Sequence, residues 1–257
     1  LNDGHFPTID PADPYALTDA EQSLIDSLTH AFRHSKALRK HIEFLYNDGA
    51  LYKTCNGNLL FHGCVPMTPD GEFDAVTSFD GVTRKGRAYM DFCDKTARAA
   101  FYEHSQDALD FMYYLWCGRQ SPLFGRERMT TFERYFVADR KTWTETKNPY
   151  YDLVESYETA AFILREFGLD EKTGHIINGH VPVRAAIGEP PVKARGRYIR
   201  IDGGFCRAYH DRTGIAGYTL IYTSKGLRLV SHSPFEGKTA AVRQNRDILA
   251  TDDVIFE

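Results

Sequence analysis

From residue 18 to residue 46, apolar residues recur among polar ones with a helical period. Residues 18–21 (Thr-Asp-Ala-Glu) form a capping box, in which the Thr18 hydroxyl and the Glu21 carboxylate each bond the backbone across the first turn. Apolar side chains then recur three and four residues apart, at Leu24, Ile25, Leu28 and Phe32. A second helix is predicted over 36–46, with Gly49 as a left-handed C-terminal cap. Its buried residues are predicted to be Leu38, Ile42 and Leu45.

Two apolar runs around Asn56-Gly57 predict a β-hairpin. Residues 51–55 and 58–62 flank this dipeptide, which suits a type I′ turn because both of its central residues have positive φ. His62 then stands at the end of the second strand. Residues 66–86 are rich in Gly, Asp and Pro and are predicted to form a loop.

The remaining pattern changes from helical to extended. Helices are predicted over 87–103, 106–116 and 155–167, with the last one ended by Gly168. The helix 106–116 is so rich in aliphatic and aromatic residues that we expect it to be buried in the core rather than to line a cofactor pocket. The segment 117–150 is predicted to consist of loops and short helices. Later elements are strands near 174–178, 197–202, 217–223 and 227–232, turns at Gly203-Gly204 and Lys225-Gly226, and a helix over about 238–249.

Composition is that of an ordinary globular protein. Among the 257 residues, 42% are hydrophobic and 26% are charged, and the net charge is −4, which argues against nucleic acid as a partner. Apolar runs are too short to span a bilayer, so no membrane partner is expected. Five cysteines without a CxxC pair indicate free thiols in a reduced, cytoplasmic protein and argue against a four-cysteine zinc site. Because the first residue is Leu and residues 10–14 are linker-like, we expect a processed chain or a piece of a longer one.

Two histidines stand where predicted strands end. Residues 59–63 (Leu-Leu-Phe-His-Gly) and 176–180 (Ile-Ile-Asn-Gly-His) are apolar runs that end in a glycine and a histidine. Loops at strand ends commonly present functional groups, and neutral imidazole is a common ligand of divalent metals. His62 and His180 can therefore meet across a sheet and share a metal, although a structural role is the more common one for an isolated histidine of this kind.

The order of the motifs resembles a known family. The segments at 59–66, 114–116, 121–125, 129–136, 147–151, 176–182 and 201–204 follow one another as in the class III fructose-1,6-bisphosphatases of bacteria, within the calcineurin-like metallophosphoesterases. The resemblance runs from about Leu17 to near the end of the chain. It implies an enzyme that removes the 1-phosphate of fructose 1,6-bisphosphate in gluconeogenesis, with a divalent metal such as Mn²⁺ and a metal-bound hydroxide as the attacking group.

The resemblance implies that His62 and His180 are ligands of the second metal of a dinuclear site. Of the superfamily's other metal motifs, Gly-Asp-x-x-Asp-Arg and Gly-Asn-His-Asp/Glu do not occur here, and Asp-x-His is matched only by Asp3-Gly4-His5. In the family these motifs lie upstream of the matching segment. The chain therefore resembles a C-terminal portion. We expect weak or no metal binding and no turnover by the chain alone, because two neutral imidazoles supply no carboxylate to hold and neutralise two cations.

Further residues are candidates for supporting roles. A sugar bisphosphate has a second phosphate that needs cations away from the metals. Arg126 and Lys147 are the first choices among the cations of the loop-rich stretch, which also holds Arg119, Arg128 and Arg134. Asp202 is placed either to orient a metal-bound imidazole or to cap the turn at Gly203-Gly204.

The predicted fold is α+β or mixed α/β, as the C-terminal half of a metallophosphoesterase β-sandwich flanked by helices. Residues 1–49 form a linker and helical segment, and residues 50–257 form the half-domain, with a helical and loop insertion at about 87–168. Without the N-terminal half as a partner, we expect the chain to expose a sheet edge or an apolar face and to self-associate. Two alternatives are a non-catalytic interaction or regulatory module with a degenerate phosphoesterase half-fold and a phosphoprotein phosphatase of the same superfamily.

Overall fold

The computed structural model describes residues 1–2, 4–202, 213–214, 217–232, 237–245 and 250–256, the last of these as backbone only. The chain is a mixed αβ protein. The α-helices of the described residues are α1 (Asp19–His34), α2 (Lys36–Asp48), α3 (Gly86–Tyr102), α4 (Gln106–Cys117), α5 (Thr131–Phe136), α6 (Tyr150–Leu153), α7 (Tyr157–Glu166) and α8 (Lys238–Gln244). The strands are β1 (Tyr52–Cys55), β2 (Asn58–Phe61), β3 (Val76–Thr77), β4 (Thr83–Arg84), β5 (Ile176–Asn178), β6 (Val192–Lys193), β7 (Tyr198–Arg200), β8 (Gly217–Thr223), β9 (Gly226–His232) and β10 (Ala250–Phe256).

Several sequence predictions about these elements are confirmed. The hairpin, the loops with short helices in 117–150, and the strands near 174–178, 197–202, 217–223 and 227–232 all form. The structure adds β6 and β10, which were not predicted, and a two-stranded ribbon of β3 and β4 inside the predicted loop 66–86. The predicted turn at Gly203-Gly204 and residues 246–249 of the last predicted helix lie outside the described residues.

Contacts within the chain divide it into two compact units. One unit consists of Leu1–Ala50 and Arg128–Thr146, and the other consists of Leu51–Glu127 and Lys147–Glu257. The first unit contains α1, α2 and α5. The second unit contains all ten strands.

The capping box of α1 is confirmed. The Thr18 hydroxyl accepts from the backbone N–H of Glu21 at 3.3 Å, and the Glu21 carboxylate accepts from the backbone N–H of Thr18 at 2.8 Å. These bonds satisfy two of the donors that a helix N-terminus leaves unpaired. They hold Glu21 ionised, because hydrogen bonds to Thr18 and Thr8 lower the pKa of its carboxyl.

Two predictions for α2 are wrong. Leu45 is 64% exposed rather than buried, while Leu38 and Ile42 are half-buried. Gly49 caps the helix in an extended conformation, with φ −91° and ψ 171°, and its N–H bonds the carbonyl of Leu45. A helical period identifies the apolar face of a helix. It does not show which positions of that face another element covers, and only the covered positions are buried.

The main sheet belongs to the second unit and has the strand order β1-β2-β5-β7-β6. β2, β5 and β7 are parallel neighbours, and β1 and β6 pair antiparallel at the two edges. The β1–β2 hairpin closes through Asn56 and Gly57, at φ 50° and 75°, as a type I′ turn requires. The parallel centre places the carboxyl ends of three strands along one edge of the sheet.

Helix α7 and the strands of this sheet share one core. Its members are buried aliphatic, aromatic and sulfur-bearing side chains, among them Leu59, Cys64, Met67, Tyr150, Ile163, Leu164, Ile176 and Tyr198. The prediction that the apolar helix α4 is buried is only partly right. Phe111 and Leu115 are buried, but Tyr113 and Trp116 are 66% and 61% exposed, because a helix packed on one side must present its other side to solvent.

A second, three-stranded antiparallel sheet has the order β10-β9-β8. Its side chains Tyr218 and Leu229 pack with Val183, which follows the end of β5. Among the described residues, no helix is both long and apolar enough to cross a membrane.

The amide of Asn178 ties two strand ends together. This buried side chain, the last residue of β5, donates from its Nδ2 to the carbonyl oxygens of Phe61, His62 and Gly63, at 3.1, 3.0 and 3.0 Å. The Tyr198 hydroxyl of β7 donates to the Asn178 side-chain oxygen at 3.0 Å. The turn after β2 therefore has its backbone carbonyls satisfied by the neighbouring strand.

Replacing the Asn178 amide is expected to loosen this edge of the sheet. Asn178→Ala should lower the free energy of unfolding by about 2–3 kcal/mol, because buried carbonyls lose their donor, whereas Tyr198→Phe should cost about 1 kcal/mol. Urea unfolding of both variants measures the difference. Equal losses would show that the contact with the three carbonyls is not the source of the effect.

Candidate functional site

His62 and His180 meet at the carboxyl edge of the main sheet. β2 and β5 are adjacent and parallel, and Phe61 pairs with Asn178 at their ends. His62 follows Phe61 directly, and His180 follows two residues after Asn178. The His180 Nδ1 lies 3.4 Å from the His62 Nε2, with the two rings nearly perpendicular at 85°.

At the glycines beside these histidines, a side chain would collide with neighbouring atoms. A side chain at Gly179 would place its Cβ 2.9 Å from the His62 Nδ1. At Gly63 a Cβ would lie 1.9 Å from the backbone oxygen of Pro122, which accepts a hydrogen bond from the Cys64 N–H at 2.8 Å. His180 itself has φ 65°, an uncommon conformation for a residue with a side chain. The glycines therefore allow close approach, while the strained backbone belongs to the histidine.

A tight turn after α4 forms one wall of the site. The buried Ser121 hydroxyl accepts from the backbone N–H groups of Leu123 and Phe124, at 3.1 and 3.3 Å, and fixes the turn. The carbonyl of Phe124 hydrogen-bonds the His180 ring. A carbonyl oxygen only accepts, so this contact uses a ring N–H.

The surroundings favour the neutral form of His180. Burial and then the charge of His62 lower its pKa, with a further lowering by Arg126, and these effects outweigh the Phe124 carbonyl and Asp202. His180 is therefore predominantly neutral at neutral pH, which is the form that binds metal ions. Tyr151 stacks near it, with ring centroids 6.2 Å apart.

The two imidazoles have a spacing that fits one divalent ion. Histidine nitrogens lie about 2.0–2.1 Å from zinc-like ions, so two such ligands are about 3–3.4 Å apart at the usual coordination angles. The observed separation of 3.4 Å agrees with this range. Within the described ranges, no cluster of three or more His, Cys, Asp or Glu side chains is placed to hold a metal. Among the described residues, the pair thus fits as part of a metal site.

Asp202 lies at the same edge, two residues after β7. Its backbone carbonyl accepts from the Val183 N–H at 2.8 Å, and its charge raises the pKa of His180. The side chain is half-buried. The predicted turn partners Gly203 and Gly204 lie outside the described residues, so the roles of orienting a histidine and of capping that turn both stay predictions.

Arg126 and Lys147 lie side by side. They form an isolated antiparallel backbone bridge, and Arg126 acts on the pKa of both His180 and Lys147. Burial lowers the pKa of Lys147, and Arg126, Arg200 and Arg184 lower it further. Like charges are therefore gathered beside the histidine pair, as in an anion-binding site.

The other candidate cations have different surroundings. Arg119 pairs with Glu127 at 3.4 Å. Arg128 and Arg134 belong to the first unit, where they donate to the carbonyls of Thr144 and Trp143 at 3.2 and 3.0 Å.

The ion pair of the buried Arg200 with Glu189 was not predicted from the sequence. Arg200 of β7 is 3% exposed and donates to Glu189 at 2.9 Å and to the Tyr198 hydroxyl at 3.3 Å. Burial raises the pKa of Glu189, but Lys193, the Arg184 backbone and Arg200 together lower it to about 2. An arginine between two aliphatic residues of a strand, as Arg200 stands between Ile199 and Ile201, is the signal that could have indicated a buried ion pair.

Comparison with known proteins places the chain in a family. A family model described as Firmicute fructose-1,6-bisphosphatase matches residues 1–257. The chain belongs to this family. No solved structure matches it.

Curated relatives carry the name fructose-1,6-bisphosphatase class 3. The chain is 50% identical over 260 residues to the protein of Clostridium novyi (strain NT) and 49% identical to those of Clostridium tetani (strain Massachusetts / E88) and Listeria monocytogenes serotype 4b (strain CLIP80459). Each match covers 99% of this chain but only 39–40% of the relative. The chain thus spans about two fifths of the length of these relatives.

Substitutions at the two glycines are expected to differ: one should change the position of the His62 ring, and the other should lower the stability of the fold. Gly179→Ala should displace the His62 ring, which is exposed and can rotate, so stability should change by less than about 1 kcal/mol while metal binding to the histidine pair weakens. Gly63→Ala meets backbone at 1.9 Å and should cost about 1–3 kcal/mol or more. Thermal unfolding and metal titration of both variants test this. A Gly179→Ala chain with unchanged imidazole NMR shifts would contradict it.

Proposed function

We propose that this chain supplies part of the active site of a divalent-metal-dependent fructose-1,6-bisphosphatase, which removes the 1-phosphate of fructose 1,6-bisphosphate in gluconeogenesis in the cytoplasm. The observation that carries the proposal is the approach of His62 and His180 to 3.4 Å at the ends of two parallel strands. Membership of the family and the names of the relatives support the substrate. The proposal assigns to this chain a part in the activity for which longer relatives are named.

His62 and His180 are the residues that we propose to hold the metal, with Mn²⁺ as the ion. A bound divalent ion supplies positive charge that stabilises negative charge on phosphate oxygens. The protein's own contribution is to keep His180 neutral by burial and to fix its ring through the Phe124 carbonyl. Asp202 is proposed to help orient His180, since its charge acts on that ring.

Arg126 and Lys147 are proposed to bind the second phosphate of the substrate. Burial and then the charges of Arg126, Arg200 and Arg184 lower the pKa of Lys147, so crowding of these cations is unfavourable in the free protein. A phosphate dianion between them would offset that repulsion and accept charge-assisted hydrogen bonds. The recognition of both phosphates would then occur on one side of the sheet edge, with the metal at His180.

The site needs carboxylates beyond the two imidazoles. We propose that the main sheet is one of the two packed sheets of a metallophosphoesterase sandwich, and that the other half of the sandwich brings these carboxylates. Apolar side chains exposed on the first unit, such as Phe32 and Leu45 at 68% and 64%, support pairing or self-association of the chain.

The chain alone is expected to be inactive. With Mn²⁺ and fructose 1,6-bisphosphate, the purified protein should release no phosphate above a protein-free control, since two neutral ligands cannot hold and neutralise two cations. Phosphate release is the measurement. Hydrolysis that depends on Mn²⁺ and disappears in His180→Ala would show that the chain needs no further ligands.

A chimera tests the function itself. The chain should replace the matching 260-residue segment of the Clostridium novyi protein with phosphatase activity retained. His62→Ala or His180→Ala in that chimera should lower kcat/KM by about 100-fold or more, because even residues that only support a metal ligand cost about 10–100-fold. Lys147→Ala should mainly raise KM.

Cys55→Ser is the matched control for the chimera, because Cys55 is exposed at the far end of the hairpin from His62. It should leave activity unchanged. A folded, inactive chimera, or an active one that is indifferent to both histidine substitutions, would refute the proposed function.

A further inference from the structure

Helix α1 carries a second pair of histidines, His30 and His34, in the first unit. They are four residues apart and therefore neighbours on one face of the helix. Their rings stack with centroids 4.0 Å apart and planes inclined by 20°. Both side chains are exposed, so a metal ion can reach them from solvent.

One proton position in this pair is fixed by the backbone. The His34 Nδ1 lies 2.9 Å from the carbonyl oxygen of His30. Because that oxygen only accepts, Nδ1 carries the proton and the Nε2 lone pair of neutral His34 is left for a ligand. Metal-binding histidines commonly donate their other ring N–H to a backbone carbonyl in this way.

The pair lies on the face of α1 that is opposite to its apolar residues. At about 100° per residue, His30 and His34 lie across the helix from Ile25 and Phe32. The capping box at Thr18 holds the N-terminal end of the helix. The two imidazoles are thus presented by a formed helix, and rotation of the rings out of their stacked arrangement is what would bring one nitrogen of each to the same ion.

We propose that His30 and His34 chelate a borderline divalent cation such as Zn²⁺, with water completing its coordination. Imidazole suits Zn²⁺, Ni²⁺ and Cu²⁺ better than Mn²⁺, which stands at the weak end of the order for nitrogen ligands. This site differs from the His62–His180 pair in its residues and belongs to the other unit of the chain. It does not depend on the proposed phosphatase function.

Calorimetric titration with Zn²⁺ tests the chelate in a His62→Ala, His180→Ala chain, from which the strand-end pair is removed. One Zn²⁺ per chain is expected to bind. His30→Ala and His34→Ala should each weaken it by about 10–100-fold or more, since that is the cost of losing even an outer hydrogen-bond partner of a metal ligand. Mn²⁺ at the same concentration should bind much more weakly.

His41→Ala is the matched control, since His41 is an exposed histidine on α2, and it should leave Zn²⁺ affinity unchanged. Circular dichroism should show equal helicity in all variants. Zn²⁺ binding that is absent, or that is insensitive to both His30→Ala and His34→Ala, would overturn the proposal. A loss on His41→Ala equal to that on His30→Ala would do the same.

Discussion

The geometry of the candidate site depends on the side-chain amide of Asn178. One amide group donates to three successive carbonyls, those of Phe61, His62 and Gly63, and its oxygen is held by Tyr198. The contact joins β2 and β5 at their carboxyl ends and connects them to Tyr198, the first residue of β7. His62 leaves the sheet in one direction because its own backbone carbonyl is part of this contact. The relative position of the two candidate ligands is thus set by a residue that is not itself a candidate ligand.

Short sequence motifs were sufficient to predict the parts of the fold that depend on a few adjacent residues. The capping box at Thr18 and the Asn56-Gly57 turn are each determined by a few adjacent residues, and both form as predicted. Strand ends with Gly and His indicated His62 and His180 in the same way. Their approach to 3.4 Å was foreseeable only as a possibility, because it requires β2 and β5 to be neighbours, and that pairing is a long-range property.

What the sequence did not reveal has a common physical cause. The exposure of Leu45, the exposed half of α4 and the burial of Arg200 all depend on which element packs against which side. The same is true of the turn that brings the Phe124 carbonyl to His180, since residues 121–124 carry no charge or ligand that would single them out. Side-chain pattern specifies a face, whereas the partner of that face is fixed by the whole chain.

The proposed functions require two different charge states at one edge of the main sheet. His180 has to be neutral to bind a cation, while Arg126 and Lys147 have to be charged to bind an anion. Burial and the neighbouring cations lower the pKa of His180, so the same positive charges that would recognise a phosphate also keep the imidazole available as a ligand. The buried Arg200 adds to the positive field at Lys147 but is itself held by Glu189. A single arrangement of charge therefore suits both proposed roles, and a complete two-metal site would need carboxylates in addition to the two imidazoles.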